Sequence, residues 1–138
     1  MNCELCKGGT GEVLWSSDLC RVVLVDEPDY PGYCRVILNR HAKEMTDLAA
    51  GERAALMEVV FAVEEALRAA LAPDKINLAS LGNQVPHLHW HVIPRWRSDR
   101  HFPAAVWAEP CRASRPAPPP AWRERLASAL DARLPGRP

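Results

Sequence analysis

Residues 87–95 read HLHWHVIPR, which places three of the chain's five histidines at every second position with an apolar residue after each. Successive side chains of a strand point to opposite faces, so a period of two is a strand's period. His87, His89 and His91 are therefore expected on one face, with Leu88, Trp90 and Val92 on the other and Pro94 closing the strand. The apolar set calls for a core beneath it. Three imidazoles make a poor core face, because each brings a polar nitrogen that needs a partner. The array thus holds a metal, carries out chemistry, or consists of satisfied, half-exposed histidines.

The rest of the chain offers partners for such a strand. EVLWSS reads as a short strand after a Gly-rich turn, and LCRVVLVD (19–26) as a strong β-branched one. EPDYPG is a turn, and YCRVILN (33–39) a further strand. Thr46 with Asp47 offers a helix start, and Leu56, Val60, Val63 and Leu67 then recur at helical spacing until Pro73 stops the run. KINLAS (75–80) is a fourth strand, and Gly82-Asn83 turns into the fifth. RPAPPP (115–120) is a stiff, extended spacer, and AWRERLASALDARL a short amphipathic helix. The order β-β-β-α-β-β predicts an α+β fold, a mainly antiparallel five-stranded sheet with one long helix and a short C-terminal helix. At 138 residues this is one domain's worth of chain, with 1–110 as the domain and 111–138 as a Pro/Arg-rich tail.

Composition narrows the function. Seventeen basic and 17 acidic residues cancel, so no polybasic footprint points to nucleic acid or a membrane surface. From Arg95 onward nine Arg face four acidic residues, an excess that suits an anionic substrate and equally a solvated surface. The N-terminus lacks the apolar stretch of a secretory signal, and a cytoplasmic protein is the expectation. Five cysteines, an odd number, argue against a disulfide framework; Cys20 and Cys34 lie in apolar runs and read as buried thiols. Cys3 and Cys6 form a C-x-x-C, which is a zinc half-site, a redox pair or two incidental thiols.

Geometry restricts the metal reading of the histidines. In a regular strand His87 and His91 have Cα atoms about 13 Å apart, while zinc–nitrogen bonds are only about 2.0–2.1 Å. Three ligands to one ion do not fit, and the three histidines take different roles.

The pattern H-φ-H-φ-H-φ-φ, with φ apolar, is matched in full by residues 87–93 and resembles the signature of the histidine triad (HIT) superfamily of nucleotide hydrolases and transferases. LVDEPDYPGYCRVILNRH is similar to that family's strand–Asp–loop–strand–His segment, and KINLASLGNQVPHLHWHVIPR to its final hairpin. SDRHFPAAVW resembles the continuation in bacterial members of the diadenosine-tetraphosphate-hydrolase-like type. The resemblance covers residues 3–107 and implies the HIT-like fold.

It also implies roles. His89 would attack the α-phosphorus of a nucleotide, giving a nucleotidyl-imidazole that water then hydrolyses. A backbone carbonyl would fix its tautomer, and His91 would donate to phosphate oxygens or the leaving group. Asp26 matches an acid that binds ribose hydroxyls, although an Asp opening a turn before Pro28 reads as well from sequence. Asn77 and Asn83 match positions that contact phosphate or the leaving group; Asn77 stands one residue nearer the triad than the family's spacing. Gln84 occupies a position where several members have Ser or Thr. In zinc-containing members the ligands correspond to Cys3, Cys6, His41 and His87, a closed structural site. The implied substrate is a purine nucleotide or dinucleoside polyphosphate, and the implied assembly a homodimer. A nucleotide-binding signalling protein with little catalysis, and a nucleotidyltransferase or phosphorylase, are the alternatives.

Overall fold

The computed structural model describes residues 3–134. Five strands, β1 (Glu12–Ser16), β2 (Cys20–Leu24), β3 (Cys34–Leu38), β4 (Lys75–Ala79) and β5 (His89–Arg95), form one sheet in the order β1-β2-β3-β5-β4. Every neighbouring pair is antiparallel. Helix α1 (Ala50–Leu71) joins β3 to β4, and α2 (Trp122–Arg133) follows the last strand.

Alternation assigns the two faces. Cys20, Val22, Cys34, Val36, Leu38, Trp90 and Val92 pack under α1, against the buried stripe Leu56, Val60, Val63 and Leu67. The expected helical spacing and the buried thiols Cys20 and Cys34 are both found. The opposite face carries the rows Arg21–Ile37–His89 and Val23–Arg35–His91–Ala79. Its apolar members Val23 and Ile37 are covered by Cys3 and Leu5 of the N-terminal segment.

Two boundaries differ from expectation. Thr46 and Asp47 form a separate 3-10 turn, because buried Leu48 takes extended backbone (φ −90°, ψ 149°) and interrupts the helical run. The helix proper begins at Ala50, where the Glu52 side chain accepts the backbone N–H of Ala49 at 3.0 Å. The fifth strand begins at His89, not His87, and does not stop at Pro94, which pairs with Ile76. Pro94 lies beyond the end of β3, where only β4 flanks the strand, and a residue without an N–H is tolerated at such a place.

The turn before β3 needs its glycine. Gly32 has φ +86°, and a Cβ there would lie 3.1 Å from the Leu71 side chain. The C-terminal helix lies on α1, and Leu126, Leu130 and Leu134 enter the same core as the sheet. Arg133 and Glu65 add an ion pair at 3.4 Å between the two helices. Among the described residues, no helix is long and apolar enough to cross a membrane.

Candidate functional site

A groove of about 880 Å³ runs between the β1–β2 hairpin and α1 past Trp15, Val59 and Leu134, and is lined by no histidine or cysteine. Size does not identify the site. A smaller cleft of about 370 Å³ lies on the helix-free face, floored by His89, His91 and Arg35 and walled by Leu5, Trp107 and the loop 81–85.

His89 opens β5, with its Nδ1 2.6 Å from the carbonyl oxygen of His87. A carbonyl only accepts, so Nδ1–H donates and the proton of the neutral ring is fixed there. The Nε2 lone pair is left for the cleft, which is the tautomer a nucleophile at Nε2 requires.

His91 is two residues on, its ring centroid 4.9 Å from that of His89. Burial, reinforced by His89 and by the Arg35 guanidinium, holds its pKa down at about 4. The ring is neutral at pH 7. Its Nδ1 lies 2.6 Å from the hydroxyl of Tyr33, whose pKa burial raises against the pull of Arg35. A protonated phenol beside a guanidinium turns its lone pairs to the cation and donates its O–H to Nδ1. His91 is then an Nε2–H donor, complementary to His89 beside it. The Trp107 indole packs edge-on against His91 with centroids 5.0 Å apart.

His87 has a different environment. It is fully buried, outside the strand, and its Nε2 lies 2.6 Å from the Leu38 carbonyl oxygen. Nε2–H donates, so Nδ1 presents a lone pair to the Cys3 and Cys6 sulfurs, each 3.4 Å away. His41 Nδ1 is also 3.4 Å from Cys6 Sγ. All four donor atoms lie within 4.8 Å of one another, and the group can hold a metal ion. Tetrahedral bonds of about 2.3 Å to sulfur and 2.0–2.1 Å to nitrogen give sulfur–nitrogen edges of about 3.5 Å, which the three short separations match. Burial lowers the pKa of His87, which keeps its Nδ1 available as a ligand.

The HIT domain model matches residues 9–98. The chain belongs to the HIT family. An AP-4-A phosphorylase of Mycobacterium tuberculosis is 31% identical over 98 residues, 67% of this chain and 50% of that protein. An asymmetrical bis(5'-nucleosyl)-tetraphosphatase of Schizosaccharomyces pombe is 27% identical over 103 residues, 71% of this chain and 57% of that protein. This HIT chain spans about half the length of the curated relatives it matches. The crystal structure of a histidine triad protein from Bradyrhizobium japonicum superposes with a TM-score of 0.70 at 31% identity, covering 88% of this chain and 89% of that one.

Within this HIT fold the sequence-predicted residues separate into groups. His89, His91, Asn83 and Gln84 meet in the cleft, and Cys3, Cys6, His41 and His87 meet in the group that can hold a metal ion. Asp26 is exposed and lines a different depression, with Pro28 and Trp122. Asn77 lies on β4 opposite Ile93, and its Oδ1 accepts from Arg95 Nη1 at 2.7 Å.

Several neighbours were not legible as site residues. Arg35 stands where an apolar residue would extend the strand pattern, and that oddity is the signal that could have found it. Tyr33 carried no positional signal, and Trp107 closed the SDRHFPAAVW stretch with no role assigned to it. Arg21 donates to the Leu5 carbonyl at 2.8 Å and ties the N-terminal segment to β2. Buried Arg95 and Asp99 pair at 2.9 Å, and Asp99 also accepts the backbone N–H groups of Trp96, His101 and Phe102. That carboxylate shapes the start of the loop that ends at Trp107.

Proposed function

We propose that the protein is a nucleotide hydrolase acting at the α-phosphate of dinucleoside polyphosphates or nucleoside phosphoramidates through a covalent nucleotidyl-histidine intermediate. The observation that carries this reading is the His89 Nδ1–H···O=C His87 bond, which leaves an unprotonated Nε2 facing a cleft beside an N–H donor. In the first step His89 Nε2 forms a bond to the α-phosphorus as the bond to the leaving group breaks. His91 Nε2–H donates to a non-bridging phosphate oxygen and stabilises the charge that builds there. In the second step water attacks phosphorus, the P–N bond breaks, and its electron pair returns to His89. The products are the leaving group of the first step (a nucleoside polyphosphate, or ammonia once its nitrogen has taken a proton from solvent), a nucleoside monophosphate and free enzyme, and the attacking water gives up a proton to solvent. Asn83 and Gln84, on the loop beside His89, supply amide donors for the leaving group.

The cluster of Cys3, Cys6, His41 and His87 is assigned to zinc in this reading, because two thiols and two imidazoles form a complete Cys2His2 set. Such an ion is structural, with no open position for water, and ties the N-terminal segment to the sheet. The homodimer implied by the resemblance belongs to the same proposal. Exposed Val13 and Phe61 support it, and sedimentation of the purified chain tests it.

A phosphorylase is the second reading, favoured by the similarity to the mycobacterial AP-4-A phosphorylase. Inorganic phosphate then replaces water in the second step and the product is a nucleoside diphosphate. Product analysis with and without phosphate separates the two. His89→Ala tests both: turnover of diadenosine tetraphosphate and adenosine 5'-phosphoramidate is lost, and unchanged turnover removes His89 as the nucleophile.

A further inference from the structure

The chemistry above leaves Arg35 without an assigned contact to the substrate. It stands second in β3, whose other residues are buried and apolar, and β3 is the middle strand of the sheet. Val23 and His91 flank it across the two ladders. Arg35 is half-buried, and a cation that has lost part of its water is ordinarily paired. Among the described residues Arg35 forms no ion pair, and its buried Nε has no hydrogen-bond partner. The Tyr33 hydroxyl beside it is neutral and supplies no counter-charge. Glu4 is the other charged residue of the cleft, exposed on its wall. The floor of the cleft therefore presents an uncompensated guanidinium next to His91.

Resting on the nucleotide-hydrolase reading of this cleft, we propose that Arg35 is a specificity-determining residue that binds the phosphates beyond the one under attack and selects polyphosphate-bridged dinucleotides over nucleoside phosphoramidates. A guanidinium matches phosphate oxygens with paired N–H donors and is more weakly hydrated than an ammonium. A phosphoramidate has one phosphorus, which His89 and His91 already engage, and offers nothing further to Arg35. A dinucleoside polyphosphate leaves an anionic chain that neutralises it.

The test compares kcat/KM for diadenosine tetraphosphate and adenosine 5'-phosphoramidate in the full chain and in Arg35→Met, Arg35→Gln and Arg35→Lys. Methionine retains much of the apolar stem, and glutamine gives a second neutral variant should the first not fold. Both neutral variants are expected to lose about ten- to hundred-fold more on the polyphosphate than on the phosphoramidate, the effect of losing a hydrogen bond to a charged group. The loss falls mainly on KM, and lysine restores part of it. Equal losses on the two substrates overturn the proposal. Calorimetric binding of AMP and ATP gives a readout independent of turnover: the wild type prefers ATP, and the neutral variants lose that preference. A preference unchanged by both neutral variants overturns it as well. Turnover that survives His89→Ala sinks the hydrolase reading instead, and the binding comparison still decides the role of Arg35.

Discussion

The Nδ1–H of His89 donates to the backbone carbonyl of His87 across 2.6 Å, while the side chain of His87 faces two cysteines. The residue that fixes the tautomer of the proposed nucleophile is thus itself a member of the Cys/His group that can hold a metal ion. Displacing the cluster moves the acceptor on which that tautomer depends.

Cys6→Ser, at the more exposed thiol, should therefore abolish metal binding and lower both stability and kcat. The wild type is expected to carry about one zinc per chain, and the variant's melting temperature to fall by about 10 °C or more, as for a loss of several kcal/mol. Metal analysis, thermal melts and turnover check this together. A metal-free wild type of full stability and activity contradicts it.

Tyr33→Phe removes the O–H that donates to His91 Nδ1. A buried acceptor left without its partner costs about 1–3 kcal/mol of stability. Freed of that donor, His91 is able to take the other tautomer, which withdraws the Nε2–H donor from the cleft. We expect kcat to fall about ten-fold with KM little changed, since the lost interaction grows in the transition state. Steady-state kinetics with a denaturant titration decide the point.

Stability should depend on pH in a defined window. The pKa of His91 is about 4 in the folded chain against an ordinary histidine value of 6.5, so the unfolded chain binds more protons between those values. Its contribution is fully present above pH 6.5 and is lost as pH falls toward 4. The difference is on the order of 3 kcal/mol. Urea melts across that range should show the slope, and His91→Asn should flatten it. An imidazole of His91 that titrates near its ordinary value by NMR contradicts the assignment.

Asp99→Ala should be among the most destabilising single changes on the helix-free face. It strands buried Arg95 without its carboxylate and removes the acceptor for three backbone N–H groups. Breaking a buried pair from one side costs about 3–5 kcal/mol. Because the same carboxylate shapes the loop leading to Trp107, cleft activity should fall more than stability alone accounts for. Chemical denaturation and kinetics measure the two effects separately.

Much of this arrangement was readable from residue types alone. The β-branched and apolar runs between turns, with the period-two histidine stretch, gave all five strands, and the triad parity placed His89 and His91 on the face away from α1. Strand spacing excluded three equivalent ligands, and the fold supplies the reason: His87 has left the strand, with the N–H of the next residue, Leu88, donating to the Ala42 carbonyl. What the sequence could not convey was lateral. Arg35 becomes a neighbour of His91 only through the register of β3 on β5, and Trp107 only through the loop that Asp99 organises. Asn77 reads as a free amide until β4 is laid beside β5 and Arg95 reaches its oxygen. Chain-local patterns report the face a residue takes, whereas cross-strand partners depend on turns whose lengths no pattern fixes.

The most direct measurement is to quench the full chain during turnover of diadenosine tetraphosphate and map any covalent adduct by peptide mass spectrometry. An adenylyl group is expected on the peptide containing residues 87–91, attached to His89 and absent in His89→Ala. An adduct on a different residue, or rapid turnover with no adduct under conditions that preserve phosphoramidate bonds, would contradict it.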